Sequence, residues 1–470
     1  MTFAGQLEGV ARSVNPARPA EVVAEVPLAD AAAVDAAVAR ARAAQEGWRA
    51  LGAIARGRVL RACAGAIERR ADELAALMTA EEGKTLGESR VEVELTAETL
   101  LYHAGHARDA DGRTYPSTHP DDVIRTLRVP VGVVGMITPW NFPTQIPAWK
   151  AAPALVWGNA VVWKPSVEIP AVSAALAECL AEGGLPDGVL EVVQGDADVG
   201  RALVAHPGVA AVSFTGSVPV GQAIAAVAAA RGAKVQLELG GHNAAIVCDD
   251  VDPAWAAGVV LAGAMGGTGQ KCTATRRVIA VGGAHDQLVA ELARQTPDLV
   301  VGDGADAATQ IGPLVSDRAL AAVTAAVDAA LADGAEVIAR AEVPAGGWYY
   351  PPTVLAGGAD LAICREEVFG PVTTVLRAPD LDAAIALANA TPYGLSATVL
   401  TRDERAIRRC FDRLDAGVIK ANAPTTGTEL HAPFGGLKDS AFPAPREQNA
   451  ETAADFCTWT KTTYSRLVPE

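Results

Sequence analysis

Ala160-Val161-Val162-Trp163-Lys164-Pro165-Ser166 sets the pattern for the middle of the chain. Near-continuous apolar, β-prone sequence stops at a lysine and a Pro-Ser turn, and a helical run over 170–182 follows. Strands buried on both faces read this way, because helices cover both sides of a parallel sheet. The rhythm recurs on either side. Val131 to Ile137 precedes it. Gly188-Val189-Leu190-Glu191-Val192-Val193 leads into a helix over about 197–205. Val209-Ala210-Ala211-Val212-Ser213-Phe214 leads into another over about 219–231, and Ala233 to Leu239 closes the series. The fold class is therefore α/β, with a parallel sheet of the kind that binds nucleotides.

Residues 29–110 read as helices. Asp30 suits the N-cap of a helix running to about Trp48. A second helix, over about 55–82, carries Val59, Leu60, Ile67, Leu74 and Leu77 and stops at Gly83; a third spans about 87–108. Val123 to Pro130 alternates as a strand, and Pro130 confines it to an edge or ends it. From 241 to about 440 strands and helices alternate more loosely, with strands near 244–247, 278–281, 372–375 and 397–400, helices near 253–264, 285–294, 316–333, 381–390 and 403–413, and a final strand over 455–466.

Composition narrows the function. Among 470 residues the net charge is −16, which repels nucleic acid and anionic membranes as partners. The start, Met1 to Glu8, has no basic or apolar block of a signal peptide, and no apolar run is long enough to span a bilayer. Seven scattered cysteines without a Cys-x-x-Cys pair fit a reducing cytoplasm, and no metal site is expected. His103 and His106 share helical spacing and read as a core or solvated pair.

One cysteine stands apart. Cys272 follows Gly266-Gly267-Thr268-Gly269-Gln270-Lys271 and precedes a strand, so its thiol sits at the mouth of a flexible segment. An arbitrary cysteine is usually buried and inert; the glycines and the lysine point instead to a nucleophile. Glu238 ends an apolar strand ahead of Gly240-Gly241 and suits a mobile general base.

These residues belong to a longer series: Thr138-Pro139-Trp140-Asn141-Phe142-Pro143, Lys164-Pro165-Ser166, Phe214-Thr215-Gly216-Ser217, Glu238-Leu239-Gly240-Gly241, Gly269-Gln270-Lys271-Cys272, Glu366-Glu367-Val368-Phe369-Gly370-Pro371 and Pro433-Phe434-Gly435-Gly436. In that order they resemble the NAD(P)-dependent aldehyde dehydrogenase superfamily over nearly the whole chain. Ile146 to Lys150, Cys272 to Thr275 and Arg446-Glu447-Gln448 resemble its 2-oxoglutarate semialdehyde dehydrogenase branch.

The resemblance implies an aldehyde dehydrogenase-like fold. A Rossmann-type cofactor domain would span 1–110 and 131–240, an α/β catalytic domain 241–440, and a small β oligomerisation element 111–130 and 441–470. It implies oxidation of an aldehyde to a carboxylic acid through a thiohemiacetal and thioester on Cys272. Asn141 and the Cys272 N–H would stabilise the oxyanion, and Glu238 would activate the hydrolytic water. NAD or NADP would rest on Ile137, Thr138, Pro139, Trp140, Lys164, Ser166, Val167, Glu168, Phe214, Gly216, Ser217, Leu239, Gly240, Glu367 and Phe369. In NAD-strict relatives an acid stands three residues after the lysine; Val167 stands there here, with Glu168 next, which leaves NADP open.

Phe142, Ile146, Trp149, Thr273 and Phe434, with residues near 425–431, would line the substrate tunnel. Relatives acting on succinate semialdehyde usually carry arginines at the positions of Trp149 and Gly266, which are absent here; Arg276 or Arg277 would supply charge in their place, or both simply face solvent. The substrate is a semialdehyde or an apolar or aromatic aldehyde. His242 and the glycine-poor Lys438 to Pro443 depart from the family pattern. Alternatives are a CoA-acylating relative, which tends to lack the Glu238 base, a non-catalytic binding protein, and an esterase side activity. The edge strand at 123–130 implies a homodimer or homotetramer, in the cytoplasm.

Overall fold

A computed structural model describes residues 6, 7, 9–442, 448–450 and 452–466. Pro443 to Glu447, and so the Arg446-Glu447 part of the branch resemblance, lie outside the described residues, as does most of the Met1–Glu8 segment.

Five parallel strands form one sheet. In spatial order they are Lys234–Glu238, Ala211–Thr215, Val133–Ile137, Ala160–Lys164 and Leu190–Val192. Val133–Ile137 comes first in sequence and lies centrally. The chain leaves it in one direction and later returns to its other side, so a crevice opens at the carboxyl ends there. A seven-stranded sheet follows in the order 336–340, 353–356, 372–378, 275–281, 243–247, 396–400 and 418–421. Only its first pair is antiparallel.

The helical layer refines the sequence reading. Helix α1 spans Ala31–Ala50, and the Asp30 side chain accepts the Ala33 N–H as its cap. The single helix expected over 55–82 is two, α2 (Ala53–Arg69) and α3 (Ala71–Glu82), because Arg70 leaves helical geometry at φ −103°, ψ 15°. Helix α4 (Leu86–Gly105) starts with a capping box, Thr85 and Glu88 bonding each other's backbone N–H. A further helix, α5 (Gln145–Val156), was not expected, since Pro147 and Pro153 lie inside it. Pro147 falls in the first turn, where its missing N–H costs nothing. Helices α6 (Pro170–Glu182), α7 (Ala197–Ala205), α8 (Val218–Ala230) and α9 (Pro253–Met265) match expectation. An N-terminal hairpin, Val10–Asn15 with Arg18–Pro27, is an addition.

The strand Asp122–Pro130 corrects an expectation. It is not an edge: Thr114–Tyr115 pairs on one side and Thr458–Arg466 on the other, over nine residues. Thr458–Arg466 is the edge of this small sheet, with Tyr464 72% exposed. No helix among the described residues is long and apolar enough to cross a membrane.

Candidate active site

Cys272 lies between a turn at Gly266–Gly269 and the strand Thr275–Val281. Gly267, Thr268 and Gly269 all have positive φ, near 60°. For Thr268 this conformation is strained, and its hydroxyl donates to Gly312 O at 3.1 Å. Gly269 is backed against Gly370, whose carbonyl leaves no room for a Cβ. The Arg276 guanidinium spans the same junction, donating to Gly269 O and Gly370 O. Thus the loop bearing the thiol is tied to the segment bearing Glu367 and Phe369.

Six of the seven cysteines are buried; Cys272 alone is half-exposed. It lines a cavity of about 410 Å³ with Asn141, Glu238, Phe142, Ile146, Trp149, Thr273 and Phe434. Residues 426–428 also line it, as does Gln448. The expected catalytic and tunnel residues therefore meet in one cavity. Asn141 is placed by the turn between the strand Val133–Ile137 and α5. Glu238 ends its strand, 2% exposed. Asn243 Nδ2 holds the Cys272 carbonyl at 2.7 Å.

Burial pushes the Cys272 thiol up to about 12, and the charges of Glu367 and Glu238 push the same way. The backbone N–H groups of Cys272 and Thr273 oppose this. A thiol so raised is protonated at neutral pH. Burial also raises Glu367 to about 7, while its Oε1 accepts the Gly241 N–H at 3.0 Å.

The carboxyl ends of the five-stranded sheet carry the cofactor candidates. Ile137 to Trp140, Lys164 to Glu168, Phe214 to Ser217 and Leu239-Gly240 follow four neighbouring strands. Helix α8 begins just after Ser217, whose side chain makes no capping bond. Its first-turn N–H groups, other than the one Pro219 lacks, are the donors that would hold an NAD(P) pyrophosphate. Lys164 is buried, pushed down to about 8 by that burial, and donates to Pro165 O at 2.8 Å. Glu168 is half-buried and raised by burial. Trp140 meets Phe369 edge-on, ring centroids 5.6 Å apart.

A description of the aldehyde dehydrogenase family matches residues 4–463. This chain belongs to the aldehyde dehydrogenase family. The α-ketoglutarate semialdehyde dehydrogenase of Haloferax volcanii is 43% identical over 96% of this chain and 94% of its own. The α-ketoglutaric semialdehyde dehydrogenase of Bacillus subtilis is 40% identical over 96% and 93%. A betaine aldehyde dehydrogenase from Staphylococcus aureus, solved with NAD+, superposes with a TM-score of 0.94 at 31% identity, covering 100% of this chain and 94% of that one. The chain is an NAD(P)-dependent aldehyde dehydrogenase.

Both readings of Arg276 and Arg277 need correction for this dehydrogenase. Arg276 and Arg277 neither face solvent nor reach the cavity as its charge. Both are buried, their terminal guanidinium nitrogens donating to backbone carbonyls, those of Arg277 to His242, Leu387 and Ala388. His242 is likewise structural: burial lowers it to about 3, and its Nε2 lies 3.1 Å from Ile363 O.

The glycine-poor tail has its own solution. Lys438 takes a positive φ of 51°, and Ser440 Oγ donates to Gly240 O at 2.7 Å, pinning the glycines behind Glu238.

The sequence reading missed Glu82, Lys84, Glu88 and Glu92 on the cavity wall, gave Lys271 no place there, and gave no role to Lys150. Lys150 is buried in α5, donates to Ser213 Oγ at 2.9 Å, and is pushed down to about 7 by burial, against the pull of Glu238. The sequence signals for these were the Thr85-x-x-Glu88 capping box for Glu88 and the Gly269-Gln270-Lys271-Cys272 run for Lys271.

Proposed function

We propose that this enzyme oxidises a carboxylate-bearing semialdehyde to the dicarboxylic acid, through a thioester on Cys272. The observation that carries the reading is the meeting of Cys272, Asn141 and Glu238 in one cavity. A thiol held up near 12 needs a base as its S–C bond forms. Glu238 is close enough to perturb that thiol and takes its proton. The Asn141 amide and the Cys272 N–H donate to the oxyanion that develops on the aldehyde oxygen. Bound NAD(P)+ supplies a hydride acceptor, leaving the acyl group on sulfur. Glu238, once its proton has passed to solvent, draws a proton from water as the water attacks the thioester. The acid departs and the thiol regains its proton.

The substrate class rests on Lys271 and on the names of the two semialdehyde dehydrogenases. Gly266 and Gly267 have no side chains, and the Lys271 stem and ammonium fill the space beside them. The Lys271 side chain is 22% exposed and lies 3.5 Å from Glu88 Oε1. Glu88 is already served by Thr85 and by the Gly267 N–H at 2.7 Å. The ammonium is paired with Glu88 by this one long contact and keeps further N–H donors for a substrate carboxylate. Trp149 adds an indole N–H that has no partner among the described residues.

The domain division at about 110, 130, 240 and 440 is part of this proposal, as is self-association through the open edge of Thr458–Arg466. Light scattering tests the latter, a monomer counting against it. The chemistry is tested by reduced-cofactor absorbance over a panel of aldehydes. Wild type turns over, and Cys272→Ala does not; equal rates would remove Cys272 from its role.

A further inference from the structure

Lys84 and Glu92 line the cavity, yet the chemistry above gives them nothing to do. Lys84 follows α3 and Glu92 lies in the second turn of α4; their side chains are 6% and 2% exposed. Charges so deeply buried cost several kcal/mol each unless well paired, and such a pair adds little net stability. Its bonding here is directional. Lys84 Nζ donates to Glu92 Oε2 at 2.6 Å and to the carbonyl oxygen of Asn141 at 2.7 Å. The other carboxylate oxygen, Glu92 Oε1, accepts the Thr144 N–H at 2.9 Å, the Thr144 hydroxyl at 3.1 Å and the Gln145 N–H at 3.2 Å. Thr96 Oγ1 in turn donates to Thr144 Oγ1 at 2.9 Å.

The consequence is local and specific. Helix α5 has no side-chain cap from Thr144. A carboxylate from α4 takes that place instead, at the end of the helix where negative charge is favoured. The short segment from Asn141 to Gln145 is thereby held at both ends by one ion pair: the lysine grips its first carbonyl and the glutamate its last N–H groups. The Asn141 side chain springs from the residue whose carbonyl the lysine grips.

We propose that Lys84 and Glu92 are positioning residues for the Asn141 amide, fixing where the oxyanion donor stands relative to Cys272. This rests on the reading of Asn141 as that donor. A misplacement of about 1 Å in a reacting constellation can cost on the order of 100-fold in rate.

The test is a cycle on the full-length enzyme, read as the single-turnover rate of cofactor reduction with saturating aldehyde. The variants are Lys84→Met/Glu92→Gln, which removes both charges together, Asn141→Ala, and all three combined. The pair variant should slow reduction by roughly 10- to 100-fold, with cofactor affinity unchanged. Added to Asn141→Ala, it should cost less than about 2-fold more, because residues acting through one group are not additive. A purely structural role would slow both backgrounds by the same factor, and that result overturns the proposal. If the pair variant does not fold, Glu92→Gln alone carries the same cycle. A pair variant as fast as wild type, beside a slow Asn141→Ala, overturns the positioning role alone. A fast Asn141→Ala overturns the oxyanion reading and this proposal with it.

Discussion

Asn141 Nδ2 lies 2.9 Å from the carbonyl oxygen of Gln270 and donates to it. One of the two amide hydrogens is thus spent on the loop that carries Cys272, two residues away in sequence. That bond fixes the amide plane and leaves the second hydrogen for an oxyanion. Removing one such donor costs on the order of 100- to 1,000-fold in kcat. Asn141→Ala should lose that much in the steady state and keep its cofactor affinity; a loss below about 5-fold would contradict the assignment.

The raised thiol makes a pH prediction. Alkylation requires thiolate, and Cys272 is pushed up to about 12. Its modification by iodoacetamide should therefore keep climbing, about tenfold per pH unit, from pH 8 to 11. An ordinary thiol would level off near its usual pKa. Because the other six cysteines are buried, peptide mapping should place the early adduct on Cys272. A plateau below pH 9.5 would show that the carboxylates and burial do not control this thiol.

Substrate choice should follow Lys271. A charge-assisted hydrogen bond contributes about 1.5–3 kcal/mol, so Lys271→Met should raise KM for 2-oxoglutarate semialdehyde about 10- to 100-fold. Pentanal, of similar length and uncharged, should be handled equally by both proteins. If wild type already fails to distinguish the two aldehydes, the semialdehyde reading is wrong. If it distinguishes them and the variant does so equally well, only the role of Lys271 falls.

Lys150 should leave a mark on stability. Its folded pKa is lowered from 10.5 to about 7 by burial. Between those values the unfolded chain holds the proton and the folded chain does not. Stability attributable to Lys150 therefore rises as pH rises from about 7 towards 10.5, and is absent below 7. Glu81 and Glu82, raised to about 7 by burial, act in the opposite sense at lower pH: their contribution is full below 4.5 and lost as pH rises through 7. Denaturant midpoints of wild type and Lys150→Met, compared from pH 7 to 10, isolate the lysine. The wild-type midpoint should rise relative to the variant; parallel curves would place Lys150 outside this account.

Much of the fold was legible because its strands are buried on both faces, as Ala160–Lys164 is, and announce themselves as apolar runs. The nucleophile loop was legible from Gly266 to Gly269, whose glycines meet a real need for positive φ. Helix α5 was hidden by Pro147 and Pro153, although it supplies Ile146 and Trp149 to the cavity. The Asp122–Pro130 strand looked like an edge because its partner, Thr458–Arg466, is over 300 residues away, and no local pattern encodes that pairing. Charged side chains misled for the same reason. No local pattern marks Lys84 and Glu92 as buried, and Arg276 and Arg277 read as a substrate charge or as solvated, until the fold supplies the carbonyls, N–H groups and carboxylates that hold all four inside.

The central claim is that the acyl group is carried on Cys272 and released by Glu238. Glu238→Gln, mixed with aldehyde and NAD(P)+ and quenched in acid, tests it most directly by intact mass and peptide mapping. The account predicts a slowed single turnover of about one reduced cofactor per subunit, because the variant also lacks the base for the thiol proton, followed by a stall, with the acyl mass on the peptide holding Cys272. Steady turnover at the wild-type rate without a trapped adduct, or the same adduct persisting when Cys272→Ala is added, would contradict it.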